Sequence, residues 1–353
     1  MEKIISKQSV PEWVKKLEDY TIYAPVKKED HWSFEVIEHP ESIDLNYLNS
    51  IPSPKTLIFP QTEVLFEFND SGSYDDNGKA VAVKETLPRE KPQIILGLRP
   101  CDAKAITLMD KVFGEDFEDP YYLKRRNMTI LVGLGCETPP SPNCFCTSLG
   151  GSPHGKAGLD ILVTDLGDDY YVESLTEKGD QLAKAAGKLF REPKSEELKK
   201  MKGIHTSSGD KIKREIKDVK DVTARLGESK MFGSSLWDEE SKGCIRCGIC
   251  TYLCPSCHCF DINDEVESLS PLNGKRVRTW DNCQFPDFTM HSSGHNPRPD
   301  KLSRLRRRVL HKFPYFVQTQ GDYMCIGCGR CVSKCPVGID IIEILNKVRD
   351  NEQ

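Results

Sequence analysis

The chain reads Cys244-Ile-Arg-Cys247-Gly-Ile-Cys250-Thr-Tyr-Leu-Cys254-Pro255 and later Cys325-Ile-Gly-Cys328-Gly-Arg-Cys331-Val-Ser-Lys-Cys335-Pro336, so the pattern C-x2-C-x2-C-x3-C-P occurs twice. This spacing is typical of bacterial ferredoxin segments that bind [4Fe-4S] clusters. Three closely spaced cysteines on a tight loop reach three irons of one cubane. The glycine between the second and third cysteines lets the backbone approach the sulfides, and the proline ends the segment.

The fourth cysteine of each run is expected to bind the cluster of the other run, as in two-cluster ferredoxins. One predicted cluster is therefore bound by Cys244, Cys247, Cys250 and Cys335. The other is bound by Cys325, Cys328, Cys331 and Cys254. A pair of zinc sites is the alternative, but zinc motifs have paired C-x2-C halves rather than three evenly spaced cysteines followed by Cys-Pro.

The separation of the two runs indicates the fold around them. Residues 255–324 lie between them, which is far more chain than the compact βαββαβ ferredoxin needs. Residues 300–312 and 339–348 are predicted to form helices. We therefore expect residues 236–353 to form a mainly helical ferredoxin-like domain with two clusters. It resembles the α-helical ferredoxin arrangement of succinate dehydrogenase iron–sulfur subunits.

The first of these predicted helices is strongly basic. Its cations are Lys301, Arg304, Arg306, Arg307 and Arg308. A solvated helix surface is the simpler interpretation of this face, and a docking face for an acidic partner is the alternative.

The front half of the chain, residues 1–175, is predicted to be a mixed α/β domain, which makes the predicted fold class α+β. Short apolar runs bounded by turn residues predict strands at Thr56–Phe59, Glu63–Phe68, Ala80–Val83, Ile94–Leu98, Thr129–Val132 and Ile161–Thr164. A helix is predicted over 102–112, and the polar stretch 68–79 is predicted to be an exposed loop. Residues 176–235 are predicted to form a helical connector with an apolar face of Ile216, Val219, Val222 and Leu226.

Fifteen cysteines are a large number for a chain without secretory features, and such a surplus points to metal or redox chemistry rather than disulfides. Four of them lie in the front half near predicted strand ends: Cys101, Cys136, Cys144 and Cys146. Cys101 precedes a predicted helix, whose free backbone N–H groups would stabilise a thiolate. A third [4Fe-4S] cluster is the preferred interpretation of these four. Zinc and buried structural thiols are the alternatives.

Three further cysteines, Cys257, Cys259 and Cys283, follow the first run and do not complete a four-thiolate site. We expect them to be buried thiols that pack near the first cluster. Among the histidines, His295 lies in a Gly-His-Asn-Pro turn, from which a hydrogen bond would tune a cluster potential. His258 and His291 are more simply explained as surface or hydrogen-bonded residues.

The composition argues against several classes of protein. Lys and Arg number 49 against 54 Asp and Glu, so the chain lacks the basic excess of a nucleic-acid binder. No stretch approaches the ~18 apolar residues that span a bilayer. Residues 1–20 contain no apolar segment of a secretory signal, so we expect a cytoplasmic protein. No G-x-G-x-x-G follows a predicted strand, and no dinucleotide site is expected in this chain.

Several segments resemble one known family across nearly the whole chain. In the C-terminal third these are CIRCGICTYLCPSCHCFDI (244–262), RTWDNCQFPDFTMHSSGHNPR (278–298) and RLRRRVLHKF (304–313). In the front half they include SPKTLIFPQTEVLFEF (53–68), LGLRPCDAKAI (96–106) and NCFC (143–146). These segments are similar to the β subunit of cytoplasmic sulfhydrogenases and the A subunit of anaerobic sulfite reductases. Related subunits also occur with heterodisulfide-reductase-like proteins.

The resemblance implies an electron relay in anaerobic metabolism. Its partners would be a flavin subunit that reacts with NAD(P)H and a catalytic hydrogenase, sulfite reductase or heterodisulfide-reductase-like subunit. The alternative function is catalytic. In that case an unusual cluster, placed at Cys257, Cys259 and Cys283, would reduce a small sulfur compound.

Overall fold

The computed structural model describes residues 1–75, 78–88, 91–185 and 187–350. Its strands are β1 (Glu2–Ser6), β2 (Thr21–Lys27), β3 (Trp32–Val36), β4 (Thr62–Asp75), β5 (Gly78–Glu85), β6 (Gln93–Leu98), β7 (Thr129–Leu134), β8 (Ile161–Asp165), β9 (Asp169–Ser174), β10 (Phe260–Leu269) and β11 (Leu272–Trp280). Its helices are α1 (Val10–Lys15), α2 (Pro100–Phe113), α3 (Pro120–Asn127), α4 (Glu177–Ala185), α5 (Ser195–Ser208), α6 (Val219–Leu226), α7 (Ser229–Phe232), α8 (Leu236–Ser241), α9 (Ile249–Tyr252), α10 (Lys301–Leu310), α11 (Phe316–Gln320), α12 (Arg330–Ser333) and α13 (Ile341–Asp350). A π-helical turn, His311–Tyr315, joins α10 to α11.

Within these described residues, seven strands form one sheet in the order β1-β9-β8-β7-β6-β2-β3. The central strands β2, β6, β7 and β8 pair in parallel, and the outer pairings are antiparallel. β6 and β7 are almost continuously buried apolar runs, as expected of parallel strands that are covered on both faces. Their carboxyl ends lie at the same edge of the sheet, so Cys101 and Cys136, which follow them, are brought to that edge.

A second sheet joins the two halves of the chain. Its four strands, counted over the described ranges, are antiparallel in the order β10-β11-β4-β5. The hairpin β10–β11 lies between the two cysteine runs, whereas β4 and β5 belong to the front half. Arg278 of β11 and Glu63 of β4 form a buried ion pair across this sheet. The β10–β11 hairpin of the C-terminal third is therefore attached to the front half of the chain.

The C-terminal core is built mostly by helices. Its buried apolar side chains include Val222, Leu226, Trp237, Leu305, Val309, Phe313, Ile342 and Leu345. Two of these belong to α6, so the predicted connector packs against the core that surrounds the cysteine runs. Asp300 caps the start of α10, because its carboxylate accepts a hydrogen bond of 2.7 Å from the backbone N–H of Ser303.

Most local predictions are confirmed, and the α+β class is confirmed with them. The strand predicted at Thr56–Phe59 is wrong, because Pro54–Leu57 forms a 3-10 turn that the Ser53 hydroxyl caps. The loop predicted over 68–79 is also wrong in most of its length, because β4 and β5 pair up to Asp75 and from Gly78. Asp76 and Asn77 lie outside the described residues. None of the described helices is long and apolar enough to cross a bilayer.

Candidate functional site

The structure brings together the thiols of the first run and the last thiol of the second run. One cavity is lined by Cys244, Cys247, Cys250 and Cys335, here called group A. Apolar residues of α10 and α13 line the same cavity. The backbone N–H of Ile339 donates to the Cys335 sulfur over 3.1 Å, and such a bond favours the charged thiolate. The crossed ligand set predicted for the first cluster is thus adjacent in space.

Group B consists of Cys254, Cys325, Cys328 and Cys331. Burial raises the pKa of Cys325 to about 12 and that of Cys328 to about 12, and the nearby Cys254 charge adds to both increases. The helix α12, which carries Cys331, packs against α9 of the first run. The two runs therefore lie side by side. Cys254, the last cysteine of the first run, lies close to the first three cysteines of the second run, Cys325, Cys328 and Cys331.

Two buried cations lie beside the cysteine runs, Arg308 next to group A and Lys312 next to group B. Arg308 is 5 % exposed, and its guanidinium donates to the Cys250 carbonyl over 2.7 Å. Lys312 is 2 % exposed, and its ammonium donates to the Cys254 sulfur over 3.3 Å. Burial lowers the pKa of Lys312, but the thiolates of Cys254 and Cys257 outweigh burial and raise it above its usual value. Since a buried cation without a partner costs several kcal/mol, these positions favour negative charge on the sulfur atoms or on a cluster that they bind.

The basic face of α10 is not one solvated surface, so that interpretation is wrong for two of its five cations. Arg304 is 0 % exposed and donates to the carbonyls of Cys283 and Pro286, and Arg308 lies among the thiols. Residues four apart lie on one side of a helix, and this side faces inward. Lys301, Arg306 and Arg307 are partly exposed.

The cysteine thiols of group A surround a cavity and do not converge on the position of a single metal ion. In the part of the chain that the structure describes, no set of three or more Cys, His, Asp or Glu side chains is placed to hold a single metal ion. Zinc would need four ligands within about 2.3 Å of one centre. A cubane separates its ligands more widely, because each thiolate binds a different iron. The spaced thiols of group A fit a multi-iron cluster better than they fit zinc.

The four front cysteines, which we call group C, also converge on one cavity. This cavity is lined by Cys101, Cys136, Cys144 and Cys146. The first two follow the carboxyl ends of β6 and β7, and the others lie in the loop that ends in the 3-10 turn Cys146–Leu149. Burial raises the pKa of Cys144 to about 11 and that of Cys146 to about 12.

The prediction that the position of Cys101 stabilises its thiolate is wrong. Cys101 does lie in the first turn of α2, but burial raises its pKa well above the usual range. The Asp102 carboxylate raises it further. If group C binds a metal, the metal would have to displace protons from buried thiols, so that assembly of the site would become more favourable as the pH rises.

The loop of the second run lies directly on the loop that carries Cys144 and Cys146. The Phe145 N–H donates to the Gly327 carbonyl over 2.9 Å. Gly327 has φ +69°, and a Cβ there would lie 2.5 Å from the backbone nitrogen of Cys146, so only glycine permits this approach. Cys328 of group B lines the group C cavity, and Cys331 lines the group A cavity. Groups C, B and A therefore form a continuous row.

Sequence reasoning missed the buried cations near group C. Arg330 forms a bidentate ion pair with Asp102. Its guanidinium nitrogens donate to the two carboxylate oxygens over 2.6 and 2.9 Å, and both side chains are buried. Arg99 is also buried and donates to the carbonyls of Leu134 and Gly135, close to Cys136. The signal was present in the motifs, because Arg99 precedes Pro100-Cys101 and Arg330 precedes Cys331.

The last three cysteines, Cys257, Cys259 and Cys283, form group D. They line a separate cavity together with His258 and His311. Cys257 is buried, but Cys259 and Cys283 are partly exposed, so the prediction of buried structural thiols is wrong for those two. His295 is exposed, and its ring lies 5.3 Å from that of His291. The structure thus places His258, rather than His295, beside thiols.

A Cys144→Ser, Cys146→Ser double variant should contain about four fewer irons per chain than wild type after anaerobic reconstitution, if group C binds a cubane. Iron and protein assays on the two samples measure the difference. A Ser141→Ala variant, altered in the same loop but not at a thiol, serves as the control and should retain all its iron. Equal iron in wild type and the double variant would rule out a cluster at group C.

Removal of iron should open the two cysteine runs before the seven-stranded sheet. The runs lie in short helices and loops whose thiols face the cavities, so cluster binding supplies much of their stability. The sheet has its own apolar core. Limited proteolysis of chelator-treated protein, followed by mass spectrometry, should give first cuts within 243–254 and 325–338. Equally fast cleavage of the front sheet would contradict this prediction.

Comparison with known proteins supports the iron–sulfur interpretation. Residues 243–339 match the family model of a 4Fe-4S dicluster domain. Over 349 residues the chain is 29 % identical to "Sulfhydrogenase 2 subunit beta" of Pyrococcus furiosus, and the match covers 96 % of this chain and 96 % of that protein. The resemblance expected from the sequence is confirmed. The dicluster match includes groups A, B and D and leaves group C outside it.

Proposed function

We propose that this chain is the electron-transfer subunit of a cytoplasmic oxidoreductase complex. It relays electrons between an NAD(P)H-linked flavin subunit and a catalytic hydrogenase or reductase subunit. The similar protein of Pyrococcus furiosus is itself named as one subunit of a sulfhydrogenase, and the match spans nearly its whole length. Groups A and B would each hold one [4Fe-4S] cluster and group C a third.

The observation that carries this proposal is the continuous row of groups C, B and A. Electron tunnelling falls off steeply with distance, so a relay needs cofactors that are close neighbours. Here a group B thiol borders each of the flanking cavities. Buried cations beside the row, Arg308 and Lys312 among them, offset the negative charge of thiolate-bound clusters.

One end of the row reaches the surface. Cys247 of group A is exposed, whereas the group B thiols Cys254, Cys325 and Cys328 are buried. A cluster at group A would therefore come within reach of a docked partner, and the cluster at group B would exchange electrons only with its neighbours. This arrangement suits a carrier between proteins.

In domain terms, we propose that residues 236–353 bind the two clusters of groups A and B. Residues 1–175 then carry the cluster of group C, and residues 176–235 connect the two. The loop contact at Gly327 and the second sheet hold these parts together.

The test is an addition experiment with the isolated, anaerobically reconstituted chain. Alone, it should not oxidise NADH, because its electrons must enter through a flavin. Added to its flavin and catalytic partners, it should restore NADH-dependent reduction of the terminal acceptor. NADH oxidation by the isolated, flavin-free chain would show that the relay proposal is wrong.

The second candidate is a reductase that acts on a small sulfur compound. The observation that favours it is the group D cavity, which holds three thiols and two histidines outside the row. Turnover of a sulfur substrate by the isolated chain with an artificial electron donor would separate this function from a pure relay.

A further inference from the structure

The cavity at group D is larger than those of the row. Its volume, counted with its open mouth, is about 850 Å3, compared with about 590 Å3 at group A and about 390 Å3 at group C. Structural thiols normally pack against neighbouring side chains and leave few voids. The group D cavity therefore has room for a cofactor and for a small molecule beside it.

The walls of this cavity carry positive charge. Among the residues that the structure describes, four cations line it, namely Arg298, Arg307, Arg308 and Lys312, and no Asp or Glu does. Within the described residues, none of the four has a carboxylate oxygen within the 4.0 Å of an ion pair. Lys312 contacts the Cys254 sulfur, and Arg307 lies 4.9 Å from the ring centre of Tyr315. A cavity with such walls attracts anions.

Group D also lies next to group A. The Cys283 sulfur lies 3.3 Å from the hydroxyl of Thr251, the neighbour of Cys250 in group A. The Arg308 guanidinium lies 3.7 Å from the Cys257 sulfur and bonds to the Cys250 carbonyl. A redox centre at group D would therefore exchange electrons with group A over a short path.

From these features we propose that group D binds a fourth [4Fe-4S] cluster, one iron of which faces the cavity and takes a small anionic sulfur ligand from solution. Three thiolates bind three irons of a cubane. Among the described residues no fourth cysteine lines the cavity, and the proposal is that an external ligand, rather than His258 or His311 of the same cavity, binds the last iron. A thiolate or sulfide suits iron because both are soft. Arg298 and Arg307 are placed to pair with its charge. The relay proposed above is needed only to supply this cluster with electrons.

Iron content gives the first arm of the test. Full-length protein is reconstituted anaerobically as wild type and as a Cys259→Ser, Cys283→Ser double variant. The variant should lose about four irons per chain. Combining it with the Cys144→Ser, Cys146→Ser pair should remove about eight. Equal iron in wild type and the group D variant would overturn the proposal.

The second arm tests the open iron in the wild-type holoprotein, so it does not depend on the folding of a variant. Cyanide is the probe, and electron paramagnetic resonance of the dithionite-reduced clusters is the readout. One cluster signal should shift on addition of cyanide, and this response should be absent from the group D variant. An unchanged spectrum would show that a protein side chain fills the fourth position and would overturn the proposed ligand site.

Charge gives the third arm. An Arg298→Ala, Arg307→Ala double variant should need on the order of 10-fold more cyanide for the same shift, because each lost charge-assisted contact weakens anion binding. Lys301→Ala, on the same helix as Arg307 but not a lining residue, should respond like wild type. An unchanged response in the arginine variant would show that Arg298 and Arg307 do not take part in binding the anion. None of these measurements uses the flavin or catalytic subunits. A failure of the relay assay would therefore not contradict a cluster at group D, and the absence of that cluster would not contradict the relay.

Discussion

Replacing Cys335 with alanine should reduce NADH-dependent reduction of the terminal acceptor to background in the reconstituted complex. Cys335 comes from the second run, yet it lines the group A cavity with the three thiols of the first run. Its loss would leave the cluster proposed at group A with three ligands at the exposed end of the row. The dye-linked NADH activity of the flavin subunit should be unchanged, because it does not use this chain.

Lys334→Ala is the matched control, since Lys334 is exposed and next to Cys335 in the chain. It should retain full acceptor reduction and full iron content. The Cys335→Ala protein should lose about four irons, which an iron assay measures. Undiminished acceptor reduction in a variant that has lost this iron would mean that electrons do not pass through group A.

Asp102→Ala should destabilise the chain by about 3–5 kcal/mol, because it leaves the Arg330 guanidinium buried without its anion. Asp102 and Arg330 are 1 % and 4 % exposed at their side chains, and two hydrogen bonds join them. The pair connects α2, which carries Cys101, to α12, which carries Cys331. The thermal midpoint of the holoprotein should fall by several degrees, and anaerobic circular dichroism measures it.

An exposed ion pair gives the control for this prediction. Asp264→Ala removes the partner of Arg276 on the surface of the second sheet and should lower the thermal midpoint far less than Asp102→Ala does, because exposed ion pairs contribute little to stability. An Asp102→Leu, Arg330→Met double variant should recover most of the lost stability, since it removes both buried charges. If Asp102→Ala costs no more than Asp264→Ala, the buried pair does not hold the two regions together.

Local spacing was sufficient to predict several of the strands and helices and the groups of thiols that lie together. The strand predicted at Ile94–Leu98 and the helix after it were correct because a buried apolar run and a helical period are visible in the sequence. The crossed position of Cys335 followed from the chemistry of a repeated motif. At group C, the convergence of Cys101 and Cys136 followed from parallel strands that end at one edge.

Long-range packing was not predictable in the same way. Nothing local shows that β11 pairs with β4, about 200 positions earlier in the chain, or that Arg304 and Arg308 of a basic helix face inward. A charged residue is normally read as exposed, because its burial is costly without a partner. Here the partners are carbonyls and sulfur atoms from other segments, so the burial of these cations becomes evident only in three dimensions.

The central claim is that electrons pass through this chain from cluster to cluster during turnover. Freeze-quench electron paramagnetic resonance of the complete complex, mixed with NADH in the presence of the terminal acceptor, measures this directly. The account predicts that the reduced cluster signals of this chain rise and decay at least as fast as the acceptor is reduced. Signals that form or decay more slowly than turnover would show that electrons bypass the row, and the relay account would be contradicted.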